Sequence, residues 1–273
     1  PISQIERRGK ARMGAGASRN GHKLLESVPG TGIVVVPPSD EEAALTTMVR
    51  SFCGYGTEPE KGLDFLFWPL KGHEIFQPLP QQSDGTFHQD PDHLASYRWL
   101  FRYCLYEMRK TGLVFGIKKE DGSGYAALML CRPPGYHETT WSMLTSAYKA
   151  GLTPPWEAKK GPGNEKFEHT KARMDGVMKT MTQCHKECCP EKHWYIYMLQ
   201  VDPSCQGKGL GKRLLNFVST LADRRGVPVY LETVGDRNVK IYEKMGFNVV
   251  KSYTCMVGMD GKIGGPGLTE GGG

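Results

Sequence analysis

Residues Gln206 to Lys212 read Q-G-K-G-L-G-K, a turn between an apolar run (Trp194 to Val201) and an amphipathic one. Glycine stands at alternate positions 207, 209 and 211. Without Cβ atoms, such a turn lets backbone N–H groups approach an anion closely, and a following helix adds the positive end of its dipole. Lys208, Lys212 and Arg213 place charge around the same turn. Spacing narrows the anion. A triphosphate loop needs Gly at Gln206 and Ser or Thr at Arg213, and a dinucleotide fingerprint needs its third Gly at Lys212. Both patterns fail here, so a different phosphate-bearing ligand is expected. Downstream, Glu232 ends a short apolar run, Pro228 to Thr233. Open α/β sheets bind ligands at the carboxyl ends of strands, so this carboxylate is a candidate general base. The plainer alternative is a carboxylate at a sheet edge that orders Thr233 or a nearby arginine.

The elements that must position these residues follow from local pattern. Leu210, Leu214, Leu215, Val218, Leu221 and Ala222 form one helical face, which Gly226 stops. Strand, helix, strand, helix at this spacing predicts parallel pairing. Upstream, Ile33 to Val36 is a β-branched run closed by Pro37 and Pro38. A helix with Glu41 and Glu42 in its first turn follows. Asp92 to Lys110 reads as a helix, and Leu113–Lys118 and Gly124–Leu130 read as strands joined by the D-G-S-G hairpin signal. Thr139 to Lys149 and Glu165 to Cys188 read as helices, the second with a stripe of Met174, Val177, Met178, Met181, Cys184 and Cys188. Such a stripe is read first as core, and second as a pliable wall for an apolar substrate. Trp194, Tyr195 and Tyr197 are candidates for lining an acceptor pocket, or are core aromatics.

The ordered set resembles the acetyl-CoA-binding half of the GNAT N-acetyltransferase superfamily, whose turn motif is Arg/Gln-x-x-Gly-x-Gly/Ala, here Gln206, Gly209 and Gly211. The wording H-W-Y-I-Y-M-L-Q-V-D-P-S-C-Q-G-K-G-L-G, then P-V-Y-L-E-T and N-V-K-I-Y-E-K-M-G-F, is similar to the puromycin N-acetyltransferase-like branch. The resemblance is sharp over residues 193 to 250, topological over 31 to 131, and absent from 132 to 165 and both tails. It implies an α/β fold with a mixed sheet, antiparallel strands at the N-terminal side, a parallel central pair and flanking helices. It further implies acetyl-CoA as co-substrate and a primary amine of a small molecule as acceptor. A protein lysine or N-terminus, or a silent CoA sensor, are the alternatives. By the same resemblance Leu199, Gln200 and Val201 contact pantetheine and acetyl, and Gln206, Gly207, Lys208, Gly209, Leu210, Gly211 and Lys212 take the diphosphate. Asn238 contacts the cofactor or serves as a plain N-cap. Tyr242 protonates the departing sulfur, or simply packs on Val239 and Met245.

Composition bounds the rest. At 273 residues and 39% hydrophobic, the chain can bury one sizeable core. No apolar run approaches the ~20 residues that span a bilayer, so no membrane partner is expected. A net charge of +6 is modest and fits polyanion binding or ordinary solubility, and the lack of an interleaved basic-aromatic surface argues against nucleic acid. The eight scattered cysteines suit free thiols in a reducing, cytoplasmic compartment. Cys184, His185, Cys188, Cys189 and His193 invite a zinc reading, but no second C-x-x-C completes it, and no metal is expected. Residues 1–29 read as a flexible basic segment, with organelle import through it left open. Residues 30–260 read as the acetyltransferase domain with an insertion at 132–190, and 261–273 as a loose Gly-rich tail. Monomer and homodimer both stay open.

Overall fold

The computed structural model describes residues 2–8, 20–52, 91–158 and 170–253. Among the described residues seven strands make one sheet: β1 (Ile2–Arg7), β2 (Val34–Val35), β3 (Leu113–Lys118), β4 (Tyr125–Arg132), β5 (Trp194–Val201), β6 (Val229–Val234) and β7 (Asn248–Tyr253). Their spatial order is β2-β3-β4-β5-β6-β1-β7. Only β5 and β6 run parallel; every other neighbouring pair is antiparallel. The mixed sheet read from the sequence is therefore present, with its parallel pair at the centre.

Helices cover both faces. Helix α1 (Gly21–Ser27), the phosphate-turn helix α7 (Leu210–Arg225) and α8 (Asp236–Glu243) pack one face, around Leu24, Leu214, Phe217, Val218, Leu221 and Phe247. The other face carries α2 (Glu41–Phe52), α3 (Pro91–Thr111) and the short α5 (Pro155–Ala158), around Leu45, Met48, Phe101, Leu105 and Trp156. Helix α4 (Thr140–Ala150) packs on α3, and α6 (Thr170–Cys188) follows α5. None of the described helices is long and apolar enough to cross a membrane. On α6, Met174 and Val177 pack half-buried on the second core and Cys184 is buried, whereas Met178 is 43% exposed. The methionine stripe is core along part of its length only.

The N-terminal expectation needs correction. Part of residues 1–29 is not a loose tail, because β1 is an interior strand between β6 and β7. Its sequence, I-S-Q-I-E-R, has no apolar alternation, which is why periodicity misses it. Three of its polar side chains find partners outside the strand. Ser3 Oγ bonds Ser252 Oγ at 3.0 Å, Gln4 Nε2 donates to Tyr253 Oη at 3.3 Å, and Arg7 forks onto Asp223 at 2.9 and 3.0 Å. Asn20 then caps α1 by accepting from His22 and Lys23 N–H. The predicted tail at 261–273 lies outside the described residues. Ile5 is fully buried in the core beside Leu231. Ile5→Ala should cost about 2–5 kcal/mol, read as a lowered midpoint in urea unfolding. A loss within error would mean β1 contributes nothing to the folded sheet.

Candidate active site

The site begins with a fault in β5. Along β4, Leu130 pairs with Met198 and Cys131 with Ile196, so Tyr197 has no partner of its own: a β-bulge. Strand β5 pairs with β6 only from Trp194↔Val229 to Ile196↔Leu231. Beyond the bulge the two strands part, and Glu232 to Val234 keep only their pairing to β1. The extra residue also shifts the alternation. Trp194 and Ile196 face α7, Tyr197 and Met198 both face the opposite core, and Leu199 and Val201 face α7 again. The carboxyl ends of the parallel pair thus open into a fork, where such sheets receive ligands.

One arm of the fork leads into the glycine turn. Asp202, at the end of β5, is fully buried. It accepts from Arg50 Nε (3.0 Å), Ser204 N–H (3.0 Å) and Ser204 Oγ (2.6 Å), and pairs with Lys119 Nζ at 3.0 Å. Burial alone would raise its pKa, but these donors more than offset that and draw it down to about 2. Beyond it, Pro203–Cys205 is a single 3₁₀ turn. Gly207 and Gly209 then take left-handed φ values of 76° and 72°, which disfavour any other residue. Gly209 is the N-cap of α7 and has no side chain to bond the first-turn N–H groups, and no acid sits in that turn. Those N–H groups, with exposed Lys208 and Lys212 beside them, fit a diphosphate. Gly211 lies against β5, where a Cβ would sit 3.6 Å from Val201 and 3.7 Å from Leu199. Arg213, which adds charge around the turn, donates to the Gly32 carbonyl at 3.4 Å.

The other arm carries Glu232. Strand β6 lies between β5 and β1 in the sheet, and the Glu232 side chain is only 5% exposed. Gln200, 2% exposed, faces away from α7, donating Nε2 to Met198 Sδ, so only its backbone can serve a ligand in the fork. Among the described residues Glu232 Oε1 and Tyr230 Oη close no hydrogen bond. Burial pushes the Glu232 carboxyl up to about 7, partly opposed by the Tyr195 and Tyr230 hydroxyls and by Arg132. Burial likewise holds both tyrosines well above the usual phenol range. Above them sits His185 of α6, stacked on Tyr230 at 4.3 Å between centroids. A buried carboxyl poised near neutrality can take a proton from an amine.

Helix α8 brings the remaining candidates. Gly235, not Asn238, is its N-cap, and Asn238 Nδ2 donates back to Val234 O at 2.9 Å. Tyr242 is half-buried against the α7-side core, its ring edge-on to Phe247 at 5.9 Å. The fork thus gathers β5, the turn, β6 and α8 at one end of the sheet. Among the described residues no three His, Cys, Asp or Glu side chains form a metal cage, and the six cysteines there form no disulfide. Sequence reading missed Asp202, and it weighed His185 only as a zinc ligand. A buried acid next to a proline turn is the one signal that could have found the first.

Residues 167–247 match the Acetyltransferase (GNAT) family. This segment of the chain is similar to that family. The match begins inside the stretch read above as an insertion, so α6 falls within the GNAT segment. An uncharacterized N-acetyltransferase of Schizosaccharomyces pombe is 26% identical over 154 residues, 54% of this chain and 56% of that protein. The chain therefore aligns over about half the length of this curated relative. Among solved structures, a Corynebacterium glutamicum protein described as histone acetyltransferase HPA2 and related acetyltransferase is 17% identical, covering 86% of this chain and 91% of its own, with a TM-score of 0.48. Arylalkylamine N-acetyltransferase 2 of Aedes aegypti is 16% identical with a TM-score of 0.40, over 78% and 81% of the two chains.

The buried Asp202 network generates a stability prediction. Its folded pKa lies below the unfolded value of about 3.9, so its contribution is complete above pH ~4 and lost as pH falls toward 2. Asp202→Ala should cost about 3–5 kcal/mol at neutral pH and flatten that acid dependence. A variant as stable as the parent, with the same acid limb, would remove Asp202 from the account.

Proposed function

We propose that this chain is an acetyl-CoA-dependent N-acetyltransferase that transfers acetyl to a primary amine of a small molecule by direct attack on the thioester. The observation that carries the reading is Glu232, a buried carboxyl with a pKa near 7 and an unpartnered oxygen, at a fork shared with a glycine turn. An amine with a pKa near 10 must lose a proton before it attacks, and a base of this pKa is matched to neutral pH. A base this deep favours a slender amine over a flat protein surface. The motif wording, similar to the puromycin N-acetyltransferase-like branch, supports a small-molecule acceptor as well.

The co-substrate would supply an acetyl group on sulfur and a diphosphate for the turn. Gln206, Gly207, Lys208, Gly209, Leu210, Gly211 and Lys212 hold that diphosphate, with Asn238 alongside. The backbone of Leu199 to Val201 offers N–H donation to the carbonyl oxygen as charge develops on it. Glu232 takes a proton from the ammonium, the freed nitrogen bonds to the carbonyl carbon, and the carbon–sulfur bond breaks. Tyr242 donates to the departing sulfur and is reprotonated by the proton the amide nitrogen sheds. Per turnover one ammonium becomes an amide, one thiol forms and one proton is released.

If Glu232 is the base, kcat/KM should rise with pH through about 7 and level off above it, because the ionised form is active. Glu232→Gln should abolish that limb and lower kcat by roughly 10²–10⁴. A retained limb would assign the base elsewhere. Tyr242→Phe should lower kcat while leaving acetyl-CoA affinity alone; an unchanged rate, with chemistry limiting, returns Tyr242 to the core. Gly209→Asp puts a β-carbon at φ 72° and an anion at the helix N-terminus. Calorimetric titration should then detect no acetyl-CoA binding, and parental affinity in this variant would sink the phosphate assignment.

A further inference from the structure

The proposed chemistry leaves a problem at Glu232, and the inference below rests on that reading. Each turnover deposits a proton on a carboxyl that is 5% exposed, and the proton must leave before the next amine is deprotonated. The neighbours of Glu232 offer a directed path. His185 Nδ1 lies 3.9 Å from Glu232 Oε1, His185 Nε2 lies 2.7 Å from His193 Nε2, and His193 Nδ1 lies 2.6 Å from the carbonyl of Glu191.

The protons in this chain can be ordered by elimination. A carbonyl only accepts, so His193 Nδ1 carries a hydrogen. In a neutral ring His193 Nε2 is then the acceptor, so His185 Nε2 is the donor. The remaining nitrogen, His185 Nδ1, is left with its lone pair turned toward Glu232. Burial keeps both rings neutral at pH 7. It lowers His185 to about 4, helped by His193 and Arg132, and it lowers His193 against the opposing pull of Glu191 and Glu6. Tyr195, Tyr230 and Cys188 are the other titratable groups around the pair, and burial holds all three neutral. Glu191, on the turn that leads to His193, is solvent-exposed.

We propose that His185 and His193 are the outlet through which the proton collected by Glu232 leaves the active site. Glu232 passes its proton to His185 Nδ1 across 3.9 Å, a gap closed by a side-chain shift or one bridging water. His185 releases its Nε2 proton to His193 Nε2, and His193 loses a proton to solvent beside Glu191. No bond other than N–H and O–H changes, the net movement is one proton, and exchange of the ring protons with water restores the starting tautomers. The two histidines touch no substrate. They are positioning residues that act through Glu232.

Two measurements decide the matter. The first needs no substrate: nitrogen-15 spectra of histidine-labelled protein at neutral pH should show His193 protonated at Nδ1 and His185 at Nε2. A proton on His185 Nδ1 would overturn the proposal, since no lone pair would then face Glu232. The second uses thiol release with acetyl-CoA and tryptamine or putrescine as probe amines. In weak buffer His193→Phe, which keeps a ring in place, should lower kcat about tenfold, leave the KM for acetyl-CoA unchanged, and regain rate on adding imidazole. The limb of kcat/KM near pH 7 should stay where it is, because it belongs to Glu232. An undiminished kcat, or a loss that imidazole leaves untouched, overturns the outlet. If the parent protein acetylates neither amine, the functional reading is what has failed in that assay, and the tautomer spectrum still judges the pair.

Discussion

The site depends on one irregularity, the extra residue that β5 inserts at Tyr197. An unbroken parallel ladder would carry β5 and β6 side by side to their ends and close the sheet. The bulge instead ends the ladder after Ile196↔Leu231 and turns two successive side chains to the same face. Glu232, one residue past the last pair, therefore stands at the mouth of a fork. Leu199 and Val201 regain the α7 face and receive Gly211 against them. The fold tolerates the opening because β6 stays paired to β1, and β1 in turn to β7.

Two carboxylates flank this fork, and their environments push them in opposite directions. Asp202 and Glu232 are both buried, which by itself raises a carboxyl pKa. Asp202 meets an arginine, a lysine and two donors from Ser204, so its charge is held and its role is to fix the start of the glycine turn. Glu232 meets phenols and a neutral imidazole, which cannot hold a charge as firmly, and it stays close to its titration point at neutral pH. One acid is committed to architecture and the other is left free for chemistry. The difference lies in donor count, not in residue type.

The chain's remaining ties bring distant segments to the same region. Arg50 of α2 and Lys119, just after β3, converge on Asp202, and Arg213 of α7 reaches back to Gly32. The glycine turn is thus braced from the N-terminal half, outside the residues that match the GNAT family. Helix α6 supplies His185 over Glu232 from the opposite face. A carboxyl between a braced turn and a helix that covers it has little freedom to reorient, which suits the proposed role of a base that meets an amine at fixed geometry.

Much of this was legible in the sequence because it is local. The glycine turn needs only neighbouring residues to take its left-handed backbone, and α7 declares itself by period and by Gly226. The parallel pair follows from the run of strand, helix and strand. What the sequence could not decide depends on residues far apart in the chain. Strand β1 hides because Ser3, Gln4 and Arg7 find their partners at Ser252, Tyr253 and Asp223. Asp202 gains its meaning from Arg50 and Lys119, and Glu232 from Tyr195 and His185. The bulge itself is a mismatch between two strands, invisible in either one. Burial and long-range pairing set the pKa values and open the fork, and both are properties of the folded sheet.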